Sequence, residues 1–448
     1  MSSTRRPPTP MFRRHPIARQ LLQMRWALLS AAWLPVAVLA NPTGGVVVGG
    51  NAQAVITTPD VSTTTIDQSS QTAIINWDQF NVGSEEQVIF NQPSASAAIL
   101  NRVTGGVSSE IFGTISGNGR VSLVNPQGVL VGSSGVINVQ GLVVSTLGIT
   151  DADFNRGTYR FTAAPLAPTT VQNDGHIQTG DGGSVVLVGA TVINAGQITV
   201  PASIDETSGL TTQTGEVLLA SGSRLALMLD AEGLVSYDIT AAASAVSGGV
   251  STLSRSSINA PAGQIFLSGF ANSSMIGAVV NNSGYVSADS IREDHGLILL
   301  EGRAGDVTSS GSLDAIGNSG SGGAVYVLSD ANVEISGAID TSGILGGGDI
   351  RIGSSSDSLP RGISGNLIST AAGITLSDAT LYADTSSCDC EGSFPFFGGT
   401  GRIALTATNQ IDIAGTTIYG DLVSLNAPII SNFSSSSESS TYINASQA

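Results

Sequence analysis

Apolar residues in this chain recur at every second position over a few residues and then break at Gly, Asn or Ser. The stretch Asn101–Ser145 shows the pattern best, with Ile111, Gly113 and Ile115, then Val121 and Leu123, Val129 and Val131, Val136 and Val139. Such spacing predicts a string of very short strands and leaves no helical face. Within it, Asn125-Pro126-Gln127-Gly128 predicts a tight turn between strands Val121–Val124 and Val129–Val131, because Pro presets φ at the second turn position and Gly tolerates positive φ at the fourth. Asn101 and Asn125 are both expected at strand ends, where an amide satisfies backbone groups that the next strand leaves unpaired.

Further along, two repeat units alternate. One opens with Gly and is apolar: GSVVLVG from Gly183, GEVLLASG from Gly215, GQIFLSG from Gly263, GLILLEG from Gly296, GAVYVLS from Gly323, GDIRIGS from Gly348 and GRIALTA from Gly401. The other turns on Asn, Ser or Gly: NDGHIQTG at Asn173, NAGQITV at Asn194, NNSGYVSA at Asn281, SGSLDAIG at Ser310 and SGAIDTSG at Ser336. Starts of the first unit lie between 25 and 53 residues apart, and the two longest gaps leave room for an extra turn each. Two kinds of strand alternating with Gly/Asn corners predict an all-β fold, a right-handed parallel β-helix with Val, Ile and Leu stacked inward. A β-sandwich accounts for the alternation less well. Residues 41–78 are expected to cap the first coil with β structure, and Trp77 and Phe80 to plug that end of the core. Asp151–Thr170 reads as a loop, and Pro201–Thr214, Ala241–Ser257 and Ser354–Asn366 as insertions on one face.

Composition agrees with a solenoid. The 448 residues include 55 Gly, with 11% charged and 5% aromatic residues. All 17 basic residues are arginines, and six precede Trp26 in a segment, residues 1–40, that lacks Asp and Glu. That arginine-rich lead, the apolar run Trp26–Leu39 and the exit Val38-Leu39-Ala40 read as a signal peptide. Removing it leaves 11 Arg against 34 acids, a net charge near −23, which argues against nucleic acid or anionic lipid as a partner. The expected organisation is a signal peptide over 1–40, a first β-helical domain over 41–290, continuing repeats over 291–430 and a Ser-rich tail over 431–448.

NRVTGG from Asn101, the following S-x-I-x-G-x-I and the L-V-N-P-x-G-V that holds Asn125 together resemble the secretion domain of two-partner secretion exoproteins, the filamentous haemagglutinin family. Similar material includes INWDQFNVG (Ile75–Gly83), VIFNQP (Val88–Pro93) and LVVSTLGIT (Leu142–Thr150). The family's second motif usually has Asn where Gln127 stands. The resemblance implies export across the outer membrane of a Gram-negative bacterium by a partner transporter, to the medium or the cell surface. Asn101, Arg102, Gly105, Asn125, Pro126 and Gly128 would then form the region that the transporter recognises. It further implies an adhesin, with a haem- or host-protein-binding exoprotein as the alternative.

Other candidate chemistry is sparse. Cys388 and Cys390, beside Phe394, Phe396 and Phe397, either close a small disulfide ring or stay as thiols; without a nearby His they predict no metal site. Neither HExxH nor a Walker A loop nor a dinucleotide fingerprint occurs, and no cofactor is expected. A polysaccharide-active β-helix enzyme would need clustered carboxylates, whereas Asp230, Asp238, Asp306, Asp314 and Asp349 are scattered, and His176 and His295 are isolated. The Gly180–Gly183 segment around Asp181 is a weak Ca2+ candidate, because its pattern does not repeat.

Overall fold

A computed structural model describes residues 41–48, 53–163, 169–205, 207–208, 210–229, 234–243, 248–272, 277–291, 294–353, 370–384, 401–431 and 440–444. The expected signal peptide, Asp230, and the Cys388/Cys390 pair with its phenylalanines lie outside them. One hydrogen-bonded set of 35 strands forms the body, and it is a right-handed parallel β-helix. Each coil contributes to three parallel ladders. The first runs through Thr114–Gly117, Val136–Asn138, His176–Gln178, Gln197–Thr199 and onward to Thr417–Gly420. A second runs through Arg120–Val124, Gly141–Ser145, Ser184–Gly189, Glu216–Ser221 and onward to Ser440–Asn444. The third runs through Ser109–Ile111, Val129–Val131, Thr170–Asn173, Thr191–Asn194 and onward to Ile429–Ser431.

The two repeat units correspond to the second and first ladders. Only Val129–Val131 of the third ladder shows in the sequence, because most of its strands are three or four residues long and several present a polar residue inward. Its register stacks Asn173 on Asn194, then Thr252, Asn282 and Ser309, all buried. Each amide or hydroxyl finds a partner on or beside the next coil. Asn173 Nδ2 donates to Asn194 Oδ1 at 2.8 Å, Thr252 donates to Asn282 Oδ1, and Asn282 Nδ2 donates to Ser309 Oγ at 3.1 Å. Elsewhere the inward columns are aliphatic. One passes through Ile115, Ile137, Ile177, Ile198, Ile258, Val286, Leu313, Ile339 and Leu381 in register.

At the N-terminal end the pairing becomes antiparallel, Val46–Val47 against Thr72–Trp77 and Ala54–Asp60 against Thr63–Gln68. These strands cover backbone edges that would otherwise be free to pair with another chain. Trp77 and Phe80 pack edge to face with centroids 5.5 Å apart inside the core.

Among the described residues the long gaps hold no extra coils. The gap after Gly215 contains a hairpin, Arg224–Leu229 with Leu234–Ala241, that leaves the solenoid and joins Thr158–Thr162 and Gly148–Ile149 in a four-stranded antiparallel sheet. The expected loop Asp151–Thr170 thus carries a short helix, Asp151–Asn155, and a strand. Pro201–Thr214 includes a two-stranded ribbon, Ser203–Ile204 with Thr211–Gln213. Phe154, Tyr159, Phe161, Leu225, Leu227 and Ile239 pack on Leu100, Val143, Val186, Leu218 and Phe266, the outward residues of the second ladder. Strands buried on both faces read as continuous apolar runs, which is why VVLV and IFL do not alternate while RIALTA does.

The sheet is fastened by a buried polar cluster. Glu301 Oε2 accepts from Tyr237 Oη at 3.1 Å and from Ser268 Oγ at 2.7 Å; Glu301 Oε1 accepts from Arg303 Nε at 3.1 Å, and Arg303 Nη1 donates to the Ile239 carbonyl at 2.9 Å. Burial, and then the Glu301 carboxylate, push the Tyr237 phenol well above its usual range. Glu301→Ala strips the buried guanidinium of its nearer carboxylate and leaves only Asp238 at 3.9 Å, and should cost up to about 3–5 kcal/mol in denaturant melts; a change below about 1 kcal/mol would show that the cluster does not hold the sheet.

Candidate secretion-signal site

The residues that carry the secretion-domain resemblance occupy the first coils. Asn101 is not at a strand end. It sits within Ala98–Val103, between Ile75 and Leu123 in an aliphatic core column, and is fully buried. A polar side chain is tolerated there because its Oδ1 accepts the Trp77 indole N–H at 3.0 Å and its Nδ2 donates to the Ser122 carbonyl at 3.3 Å. The capping tryptophan and the next coil are thereby tied to one amide. No periodicity marks an inward Asn; its partner Trp77 was the only available signal.

Asn125 follows Arg120–Val124 and begins the turn expected from the sequence, with Gly128 N–H donating to its carbonyl at 3.1 Å and Gly128 at φ +115°. Its side chain, 1% exposed, accepts from Gln127 N at 2.9 Å and donates at 2.9 Å both to the Val107 carbonyl and to Ser109 Oγ. Its backbone N–H reaches the Ser145 carbonyl one coil on, at 2.9 Å. Asn125 therefore joins second-ladder strands to the third-ladder strand Ser109–Ile111.

Arg102 works outward. One Nη donates to the Ile149 carbonyl at 2.9 Å and meets Asp151 Oδ1 at 2.6 Å, and the other donates to Asn76 Oδ1 at 3.2 Å. It anchors the start of the added sheet and the helix Asp151–Asn155, whose N-cap is Thr150. Gly105 lies where the chain passes close to Asp78, so a Cβ there would collide with the Asp78 carbonyl oxygen. Asn101, Arg102, Gly105 and Asn125 thus act on one structural unit, the junction of cap, first coils and added sheet. None presents a reactive group.

The described carboxylates among those considered for catalysis, Asp238, Asp306, Asp314 and Asp349, are not brought together. Asp238 belongs to the added sheet near Arg303, Asp306 accepts from the Asn332 backbone and side chain, and Asp349 pairs with Arg351 at 2.6 Å. His176 meets Gln197 at 3.2 Å. No group of three or more His, Cys, Asp or Glu suited to a metal occurs among the described residues. Stacking does align Asp314 on Asp340 near Asp289, a column that sequence spacing concealed. Burial raises the Asp289 and Asp314 carboxyls above their usual range, and each is raised further by Asp340.

With this geometry in place, the comparisons are decisive about family. Residues 41–315, more than half of the chain, match the TPS secretion domain, so the chain belongs to the two-partner secretion family. It is a secreted two-partner exoprotein. Members of this family reach the surface of Gram-negative bacteria through a cognate outer-membrane transporter, and the family is one of secretion domains, not of enzymes. The crystal structure of the HMW1 secretion domain from Haemophilus influenzae is similar over 91% of this chain and 99% of that one, with TM-score 0.70 and 25% identity. A heme/hemopexin-binding protein of H. influenzae strain Rd is 36% identical over 165 residues, and another from H. influenzae is 41% identical over 98. Those segments are 35% and 22% of this chain but only 17% and 11% of the relatives, so the chain matches under a fifth of the length of either.

Two outcomes follow. Asn125→Ala should destabilise the secreted chain by about 1–3 kcal/mol in urea melts, by stripping Gln127 N, Val107 O and Ser109 Oγ of a buried partner; an unchanged midpoint would contradict the stitching role. Asp314→Asn should raise the melting temperature at neutral pH. A folded-state pKa above the unfolded one means that ionised Asp314 costs stability, and that wild type recovers it as pH falls through the raised value towards 3.8. The advantage of the variant should therefore disappear in acid, and an advantage that persists there would refute the assignment.

Proposed function

We propose that this exoprotein is an adhesin, and that its cognate transporter recognises the region of Asn101, Arg102, Gly105, Asn125, Pro126 and Gly128. The observation that carries the second half is the burial of both asparagines in hydrogen bonds that join the cap to the first coils. Residues so placed serve export by letting the first coils close. A solenoid that nucleates at one end and propagates through neighbours can then draw the remaining chain outward. The adhesin half rests on the family and on a long rod that carries loops and an added sheet on its flank.

A second reading, capture of haem or a haem-carrying host protein, is favoured by the similarity to the two heme/hemopexin-binding proteins. Retention of the secreted chain on immobilised haemin or haemopexin separates it from adhesion to host cells. For export, the test is secretion with and without a co-expressed cognate transporter, beside Asn125→Ala. Transporter-dependent release that drops at least tenfold in the variant is expected; release indifferent to both would overturn the recognition proposal.

A further inference from the structure

We propose that the outer face of the added four-stranded sheet binds an acidic saccharide, one bearing carboxylate or sulfate groups. This inference rests on the adhesin reading and assigns it a ligand class. Alternation along the strands sends Tyr159, Phe161, Leu225, Leu227, Tyr237 and Ile239 into the apolar layer, and leaves Arg160, Thr162, Arg224, Ala226, Asp238 and Thr240 in the opposite phase, with the Asp238 carboxylate 3.9 Å from the Arg303 guanidinium. The register places Arg160 beside Ala226 and Thr162 beside Arg224, so two exposed guanidiniums stand diagonally on adjacent strands across a floor made shallow by Ala226. Both line a cavity of about 650 Å3 shared with Thr150, Thr162 and Thr240.

Electrostatics make the pair unusual. The chain carries 34 acids, yet neither Arg160 nor Arg224 is in an ion pair with a carboxylate of the described residues. Asp153, which also lines the cavity, is occupied: its Oδ2 accepts from Thr150 Oγ1 at 2.8 Å and its Oδ1 lies 3.8 Å from Arg156. Planar guanidiniums take carboxylate or sulfate oxygens in a bidentate manner, and the Thr162 and Thr240 hydroxyls suit sugar hydroxyls, whereas that of Thr150 is engaged with Asp153. The volume falls in the range of sites for small ligands. One wall is fixed by Arg102, which holds the Ile149 carbonyl from behind. An acidic peptide fits less well. Peptides commonly add to a free sheet edge, and here Phe161–Thr162 and Arg224–Leu229 are paired on both sides, so a peptide would add instead at the edge strand Leu234–Ala241.

The test uses the full secreted chain and fluorescently labelled probes: trigalacturonate for carboxylate, a sulfated chondroitin tetrasaccharide for sulfate, maltotetraose as the uncharged control, and a glutamate-rich nonapeptide. Binding of one or both acidic saccharides, weakened by salt, is expected, and comparing the first two probes tells carboxylate from sulfate. Arg160→Gln and Arg224→Gln should each weaken it about tenfold with unchanged melting temperature, since both side chains are exposed. No binding, equal binding of maltotetraose, tighter binding of the peptide, or unaltered binding by both variants would overturn the site. Host-cell adherence measured alongside separates the two readings: adherence that survives Arg160→Gln and Arg224→Gln combined in one chain sinks this site and leaves the adhesin standing, whereas absence of adherence by the wild type sinks the adhesin itself.

Discussion

Everything in this molecule depends on stacking one coil upon the next. A single coil of three short strands encloses no core and satisfies almost none of its own backbone groups. Both needs are met only by the neighbours above and below. Residues that repeat in register, such as Ile137, Ile177, Ile198 and Ile258, bury against their equivalents while the backbones pair between coils. Stability is therefore close to a sum of nearest-neighbour terms. The ends, where one neighbour is missing, must be treated differently, and at the N-terminal end antiparallel strands and the Trp77–Phe80 pair do this.

Polar groups inside such a stack survive only if the next coil supplies a partner. The Asn173–Asn194 step and the Asn282–Ser309 step meet that condition by repeating a hydrogen-bonding residue at the same corner. Asn101 meets it differently, by joining the Trp77 indole on one side to the Ser122 carbonyl on the other. A ladder is tolerant, because each member resembles the next. Asn101 is a unique joint, and its loss leaves both an indole N–H and a carbonyl unpaired in the core.

The fold class was legible because its cause is periodic: strand-length alternation, glycine corners and the Asn125–Gly128 turn are local signals. The third ladder was legible only at Val129–Val131, since Val-x-Asn or Val-Ser-Thr over three or four residues is too short and too polar inside to register as a strand. The added sheet was not legible, because Thr158–Thr162 and Arg224–Leu229 pair across a separation that local pattern cannot bridge. A trace of it existed in the continuous apolar runs of the second ladder, whose outward residues Val186, Leu218 and Phe266 had to be covered by something. At the candidate site, motif resemblance found Asn101 and Asn125, but their roles depend on partners that only the coiled chain brings near. Arg102 is the plainest case, since its contacts at Ile149 and Asp151 lie 47 and 49 residues away.

Order of assembly follows from these separations. Inter-coil hydrogen bonds mostly span one turn of the solenoid, so a chain that emerges from its N-terminus can complete each coil soon after the last. The fastening of the added hairpin is an exception. Tyr237 and Ile239 wait for the polar partners Glu301 and Arg303, 64 residues later, and meanwhile their strand is held by pairing with Arg224–Leu229 and by apolar packing on Leu218 and Phe266. Loop closure of that length adds little to the equilibrium cost, because the entropy grows only as the logarithm of length. Its consequence is kinetic: coils built before residue 301 carry an unfastened apolar flap. A chain with 34 acids and 17 arginines is suited to that interval, since mutual repulsion keeps such exposed faces from pairing with one another until the glutamate and arginine arrive.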